Sequence, residues 1–367
     1  MTRTLRAAIT VAATAALSLS LGACSSDADQ ATNTETSAAQ AGQVKIGLLL
    51  PESKTTRYEK FDRPYIEAKI KELAPGAQID YYNAAESPTT QQQQVNTALA
   101  KGDKVLILDA VDSKSIQSSV QKANAAGVKV VAYDRLAQGP VDSYVSYDNK
   151  KVGQLQGQAL LDALGDKAKS GVIVMHNGSP TDPNAAEFKA GAHSVLDGKV
   201  KIGKEYDTPN WDPNNANQQM SGAIAALGKD NIVGVYSAND GLAAGISTAL
   251  QAAGLSVPLT GQDAQLDAIQ RILIGTQTIT VMKPYKPEAD IAATMAVDFA
   301  QGKPLTKDLI PTTVTSGSGN KVPANLLTPI VVDKTNIGDT VVKQGLYTVD
   351  EICTPTYEAA CQQAGLK

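Results

Sequence analysis

Short apolar runs and helix-like stretches alternate along this chain from Val44 onward, and few folds tolerate that pattern. The runs VKIGLLL (44–50), QIDYYN (78–83), KVLILDA (104–110) and VKVVAY (128–133) have the length and composition of strands. Helical stretches are predicted between them near 58–73, 89–101 and 114–126, with punctuation at Pro75-Gly76, Pro88 and Gly127. From Asn149 the layout repeats, with strands at 171–175, 200–206, 231–236, 257–261 and 278–282. Its helices fall near 150–164, 184–197, 213–227, 240–253 and 264–274. A helix near 287–301 follows, then β-like stretches near 310–315 and 328–332. Strands that are apolar almost throughout, each followed by a helix, predict parallel sheets covered on both faces. The expected class is α/β, with two doubly wound parallel-sheet lobes joined by hinge strands. The first lobe is expected to take 44–148 plus about 284–312, and the second 149–283 plus about 313–367.

Five of the apolar runs end in hydrogen-bonding side chains. Asp134-Arg135 follows VKVVAY, Asp182 and Asn184 follow GVIVM, and Asn239-Asp240 follows IVGVYSA. Gln262-Asp263 follows VPLTG, and Lys283 follows TITVM. Ligands of open α/β sheets sit beyond the carboxyl ends of the strands, so these residues read as a site. Neutral, cationic and anionic groups together suit a ligand rich in hydroxyls, each of which both donates and accepts. A phosphate calls for glycines and cations, and a metal for His, Cys and carboxylates. Simpler roles compete at several positions. Asp182 before Pro183 is a normal helix N-cap, and either Asn239 or Asp240 can cap the helix that follows. Of that last pair, Asp240 is expected to be the acceptor for the ligand and Asn239 a second contact. Lys283 at a strand end can point to solvent. Trp211, the only Trp, lies in a loop before a helix, where it makes a poor core residue and a good plate for a ring's C–H face.

The N-terminus fixes the compartment. Arg3 and Arg6 precede an apolar stretch from Ala7 to Leu21 and then Leu21-Gly22-Ala23-Cys24, which reads as an export signal over residues 1–23. The cysteine after the cut resembles the lipidated cysteine of bacterial lipoproteins, which places the chain on the outer face of the cell membrane, held through Cys24. Residues 24–42 are polar and too poor in apolar groups to fold, so they form a flexible tether. Without the signal, 31 basic residues face 37 acidic ones, a net charge of −6 that argues against a nucleic-acid partner. Cys353 and Cys361 are the remaining thiols, and in an exported chain they are expected to pair. A straight helix would hold them about 12 Å apart, so a turn near Pro355 is required.

The stretches AYDR (132–135), GSPTDPNA (178–185), SAND (237–240), TGQDA (260–264) and GTQTITVMKP (275–284) resemble the periplasmic sugar-binding proteins of ABC importers, in their xylose-binding and multiple-sugar-binding branch. The likeness runs from about Val44 to Pro304 and is looser over the last sixty residues. It implies the type I periplasmic binding protein fold. It also implies a sugar site formed by Arg57, Tyr58, Asp134, Arg135, Asp182, Asn184, Trp211, Asn239, Asp240, Asp263 and Lys283. Tyr58 stands where relatives often have Trp, and Gln265 where many have a second Asp, which bears on which sugar is preferred. The expected function is capture of a monosaccharide, D-xylose first and glucose or another aldose next, for delivery to an ABC permease. The protein is expected to be a monomer without cofactor or metal. The alternatives are a sugar-sensing receptor that docks on a signalling protein, and a glycoside hydrolase using paired Asp residues. Catalysis has little support, because His176 and His193 are the only histidines and neither has a nucleophile motif beside it.

Overall fold

A computed structural model describes residues 44–367. The expected signal, Cys24 and the whole of the tether lie outside the described residues. The first run comprises β1 (Lys45–Leu50), α1 (Arg63–Leu73), β2 (Gln78–Asn83), α2 (Pro88–Lys101), β3 (Val105–Leu108), α3 (Gln117–Ala125), β4 (Lys129–Tyr133) and β5 (Ser143–Tyr147). The second comprises α4 (Asn149–Leu164), β6 (Val172–Asn177), α5 (Pro183–Leu196), β7 (Lys201–Asp207), α6 (Pro213–Leu227), β8 (Ile232–Ser237), α7 (Asp240–Ala252), α8 (Leu266–Leu273) and β9 (Thr280–Met282). The chain continues through α9 (Tyr285–Ala300), β10 (Thr312–Thr315), β11 (Lys321–Leu327), β12 (Ile330–Val332), α10 (Val349–Ile352) and α11 (Glu358–Gln363).

One seven-stranded sheet runs in the order β10-β11-β5-β4-β3-β1-β2. All its pairs are parallel except β10 with β11. Its alternate side chains serve two cores, as the twofold repeat of a strand demands. Leu48 and Leu50 pack with Ile66 and Ile70 of α1 and with the alanines Ala289, Ala292, Ala293 and Ala296 of α9. Leu49 points the other way, toward Val95 and Ala98 of α2 and Val120 and Ala123 of α3. A second sheet has the parallel order β7-β6-β8, and β9 pairs with β12 antiparallel.

The structure differs from the sequence reading in three places. First, the strand expected at 257–261 survives only as single bridges, Val235 to Leu259 and Gln262 to Val281, which link β8 to β9. Pro258 lacks a ladder donor and Gly261 weakens a strand, so no regular pairing forms. Second, β5, β11 and the short helices α10 and α11 have no counterpart in the sequence reading. Third, residues 313–327 were expected with the second lobe. They extend the first sheet instead, because Ala324–Leu327 pairs in parallel with Tyr144–Tyr147. The chain therefore passes between the sheets after Tyr147, after Met282 and after Leu327.

Glycine brings two helices of the second sheet unusually close. A Cβ on Gly153 of α4 would lie 1.9 Å from Phe188 O of α5, and one on Gly191 of α5 would lie 2.1 Å from Lys150 O of α4. That contact fixes the start of α5, which carries Asp182, Asn184 and Phe188. Cys353 and Cys361 are bonded, with 5.9 Å between their Cα atoms, across the turn between α10 and α11. Both are buried in a cluster with Phe61, Tyr285 and Tyr347.

Candidate functional site

The loops at the carboxyl ends of the strands surround one cavity. The loop after β1 contributes Thr55, Arg57 and Tyr58, and the end of β4 contributes Asp134 and Arg135. Asp182, Asn184 and Phe188 come from the start of α5, Trp211 from the loop after β7, and Asn239 from the end of β8. Gln262, Asp263 and Lys283 complete the wall. All the sugar-site candidates read from the sequence except Asp240 therefore share one cavity.

Its electrostatic centre is a chain of alternating charges. Arg57 Nε donates to Asp62 Oδ2 at 2.7 Å, Nη1 to Asp134 Oδ1 at 2.9 Å, and Nη2 to Asp62 Oδ1 at 3.3 Å and Glu288 Oε2 at 2.8 Å. Among the described residues, only one of the five guanidinium N–H groups is left without a partner, and it belongs to Nη1. Lys283 Nζ stands 3.5 Å from Asp134 Oδ1 and 3.4 Å from Asp263 Oδ1. A solvent-facing Lys283 was the simpler reading, yet the residue is only 3% exposed. Burial opposes its charge, but Asp134 and Asp263 outweigh that and raise its pKa. Burial likewise pushes the Asp134 carboxyl up. The charges of Arg57, Lys283 and Arg135 win and hold it well below the usual carboxylate range. Asp263 Oδ1 and Gln262 Oε1 have no hydrogen-bond partner among the described residues.

Arg135 organises the opposite wall. Its Nη2 donates to Tyr58 Oη at 3.1 Å and its Nη1 to Ala110 O at 3.2 Å. Its Nε forms an ion pair with Asp182 Oδ2 at 2.9 Å, without the alignment of a hydrogen bond. Asp182 does two jobs. Its Oδ1 caps α5 by accepting from Asn184 N at 2.9 Å, and its Oδ2 accepts from Trp211 Nε1 at 3.1 Å. Trp211 is thus not an exposed loop residue. It is 9% exposed, meets Phe188 edge-on at 6.4 Å, and presses on Gly178, where a Cβ would lie 2.0 Å from the indole. The loop buries it because the ring and its N–H both find partners there.

Asn184 uses its amide at both ends, accepting from Asn149 Nδ2 at 2.9 Å and donating to Asp134 O at 3.0 Å. Asn239 caps α7 by accepting from Leu242 N at 2.8 Å, which leaves its amide nitrogen for the cavity. Asp240, the expected ligand acceptor, turns away from the cavity. Its carboxylate accepts from Gln277 Nε2 at 2.7 Å, Thr280 Oγ1 at 2.8 Å and Gln265 N at 3.0 Å. The first residue of the helix points into the protein here, and the cap before it faces the cavity. Burial pushes the Asp240 carboxyl up to about 8.

Three carboxylates went unnoticed in the sequence. Asp62 and Glu288 hold Arg57 from behind. Asp109 lies 3.6 Å from Arg135 Nε, fully buried, and neither of its oxygens has a hydrogen-bond partner among the described residues. Burial raises its pKa well above the usual value against the pull of Arg135. Asp109 follows the strand-like KVLIL, so the strand-end signal that exposed Asp134 was present for it too. Asp62 and Glu288 sit within helical segments and carry no such signal.

Such a site can hold hydroxyl groups by charge-assisted hydrogen bonds and cover an apolar ring face with Trp211 and Phe188. No group of three or more His, Cys, Asp or Glu residues suited to a metal occurs among the described residues. Asp212 caps α6 through Asn214 N at 2.7 Å. No helix among the described residues is long and apolar enough to cross a membrane.

Residues 46–304 match the periplasmic binding protein domain. The chain is 38% identical over 323 residues to the D-xylose-binding periplasmic protein of Escherichia coli (strain K12), covering 86% of this chain and 94% of that protein. It is 33% identical to the multiple sugar-binding periplasmic receptor ChvE of Rhizobium radiobacter, covering 85% of this chain and 93% of the other. Among solved structures it is similar to a solute-binding protein of an ABC transporter from Clostridium phytofermentans with bound β-D-glucose. The TM-score is 0.74 and the identity 26%, over 84% of this chain and 99% of that one. A carbohydrate-transporter solute-binding protein from Chloroflexus aurantiacus in complex with D-glucose gives a TM-score of 0.75 at 26% identity, over 84% and 98% of the two chains. Fold, cavity and relatives agree: the chain belongs to the periplasmic binding protein family, and it is a binding protein, not an enzyme.

Proposed function

We propose that the protein captures a free aldose in this cavity, D-xylose before glucose, and delivers it to an ABC permease. The observation that carries the reading is the composition of the cavity wall. Asp134, Asp263, Lys283, Arg57 and Asn239 face one space with both acceptors and donors, and Trp211 with Phe188 supplies an apolar side. A pyranose presents that combination, with hydroxyls around its rim and C–H groups on its faces. Charged partners contribute about 1.5–3 kcal/mol for each hydrogen bond, enough to select one sugar in a site closed to water. Relatives named for D-xylose and for multiple sugars support the substrate class.

The seven-stranded sheet with α9 would form one lobe and the second sheet with α10 and α11 the other. The connections after Tyr147, Met282 and Leu327 would serve as the hinge. Residues 1–23 would direct export and Cys24 would carry the lipid, with 24–42 as tether and the monomer as the working form. A thermal-shift panel of xylose, glucose, galactose, arabinose and ribose tests the sugar. The proposal expects the largest stabilisation from xylose, and equal, negligible shifts for all five would contradict it. Mass spectrometry of the membrane-extracted chain tests the anchor, since an unmodified Cys24 would remove it.

A further inference from the structure

Among the described residues, each non-glycine residue with left-handed backbone lines this cavity or the pocket beside it, or adjoins a residue that does: Ala85, Glu86, Asp134, Asn210, Trp211, Asp263 and Ala264. Such conformations persist only where their surroundings hold them. Asp134 and Asp263 line the cavity, and Ala264 follows Asp263. The other four form two consecutive pairs. Ala85-Glu86 lies after β2 and Asn210-Trp211 after β7, on loops from different sheets. Lys54, on the loop after β1, joins these pairs. Its Nζ donates to Asn210 O at 2.8 Å and to the Glu86 carboxylate. Asn210 N in turn donates to Ser179 Oγ at 3.2 Å, so the peptide groups before and after Asn210 are both held. Glu86, Asn210 and Trp211 line an outer pocket that shares Arg135 and Trp211 with the inner cavity.

We propose that Lys54, oriented by Glu86, is a positioning residue that holds the Asn210–Trp211 loop over the sugar cavity and so sets how long a bound sugar stays. The proposal rests on the sugar-binding reading of the cavity. Lys54 does not line that cavity and acts through the backbone of the residue before Trp211. It sits about one third exposed at the rim, where one end of its bridge meets one sheet's loops and the other end meets the second sheet's. A second tie on the same side, Ser113 N to Thr181 O at 3.2 Å, is made by backbone alone and survives any change at Lys54. Removing the charge should therefore weaken the closed form without preventing it. The effect should appear in dissociation, because encounter with the open form does not use the bridge.

The test is stopped-flow fluorescence of Trp211, the only Trp, with D-xylose as the probe. Lys54→Met should raise the dissociation rate about three- to ten-fold, as expected for loss of a half-screened charged hydrogen bond. The association rate should stay within about two-fold, and the sugar-free unfolding midpoint should not move. Lys54→Arg should restore the slow dissociation, and Glu86→Gln should shift it the same way as Lys54→Met by a smaller factor. A Lys54→Met protein that releases D-xylose at the wild-type rate would overturn the proposal, as would a Lys54→Arg protein as fast as Lys54→Met. Wild-type protein that gives no saturable response to D-xylose would count against the sugar reading itself and take this proposal with it.

Discussion

Asn239 and Asp240 are neighbours in sequence, yet the structure assigns them opposite roles, and replacing each by alanine separates binding from stability. In Asp240→Ala, Thr280 Oγ1 and Gln265 N lose their acceptor, while Gln277 Nε2 keeps its bond to Ile279 O at 3.0 Å. Each buried donor left unsatisfied costs about 1–3 kcal/mol, so the variant should lose about 3–5 kcal/mol of folding free energy. Its affinity for sugar, measured on the folded fraction, should change little. Asn239→Ala loses the cap on Leu242 N, about 1 kcal/mol, and a donor that faces the cavity. Its dissociation constant should rise about three- to ten-fold, as for one neutral hydrogen bond. Urea unfolding and calorimetric titration at pH 7 read the two quantities separately. Asp240→Ala with near wild-type stability and abolished binding would refute the assignment. The charge provides a second check. Burial raises the folded-state pKa of Asp240 to about 8 from an ordinary value near 4. The stability it contributes is therefore complete below about pH 4 and lost as pH rises to about 8, with a slope of up to ~1.4 kcal/mol per unit. Asp240→Asn, which cannot ionise, should lack that decline, and parallel pH profiles for the two proteins would contradict it.

Three further outcomes follow from the geometry. Lys283→Met removes the cation between Asp134 and Asp263 and should cost about 3–5 kcal/mol of stability together with at least a hundred-fold in affinity, read by urea unfolding and calorimetry. Gly178→Ala sets a methyl group into the Trp211 ring, so affinity should fall at least ten-fold and the Trp211 emission of the sugar-free protein should shift. Cys353→Ser with Cys361→Ser opens a loop with a sequence separation of 8 and should lower stability by about 2–3 kcal/mol in urea, with no change in sugar preference.

How far the sequence reveals the molecule depends on how local each signal is. Strands such as VKIGLLL and VKVVAY are apolar but for one Lys near their start because helices cover both faces of the sheet, and that is legible residue by residue. The strand SYVSY at 143–147 holds two Ser and two Tyr around a single aliphatic residue and follows a Gly-Pro turn, so it reads as a loop. It becomes a strand only because β4 and β11 flank it. In β11 the presence of Pro323 argues against a strand, and long-range pairing overrides that argument. The site was legible where a polar residue ends an apolar run, as at Asp134, Asp182, Asp263 and Lys283. It was not legible at Asp240, since capping and ligand binding ask for the same residue types and only the direction of the side chain separates them. Asp62 and Glu288 were invisible for another reason: they matter through Arg57, and the Arg57–Glu288 contact spans 231 positions of sequence.

The central claim is that one cavity at the strand ends binds one free aldose, and calorimetric titration of the purified domain with D-xylose tests it most directly. Binding should be saturable and exothermic, with one sugar per chain and a dissociation constant in the micromolar range or tighter. It should be lost in Asp134→Ala, because that carboxylate joins Arg57 to Lys283. Absence of heat and of thermal stabilisation with D-xylose, D-glucose and the other three sugars of the panel would contradict the account. So would full-strength binding in folded Asp134→Ala.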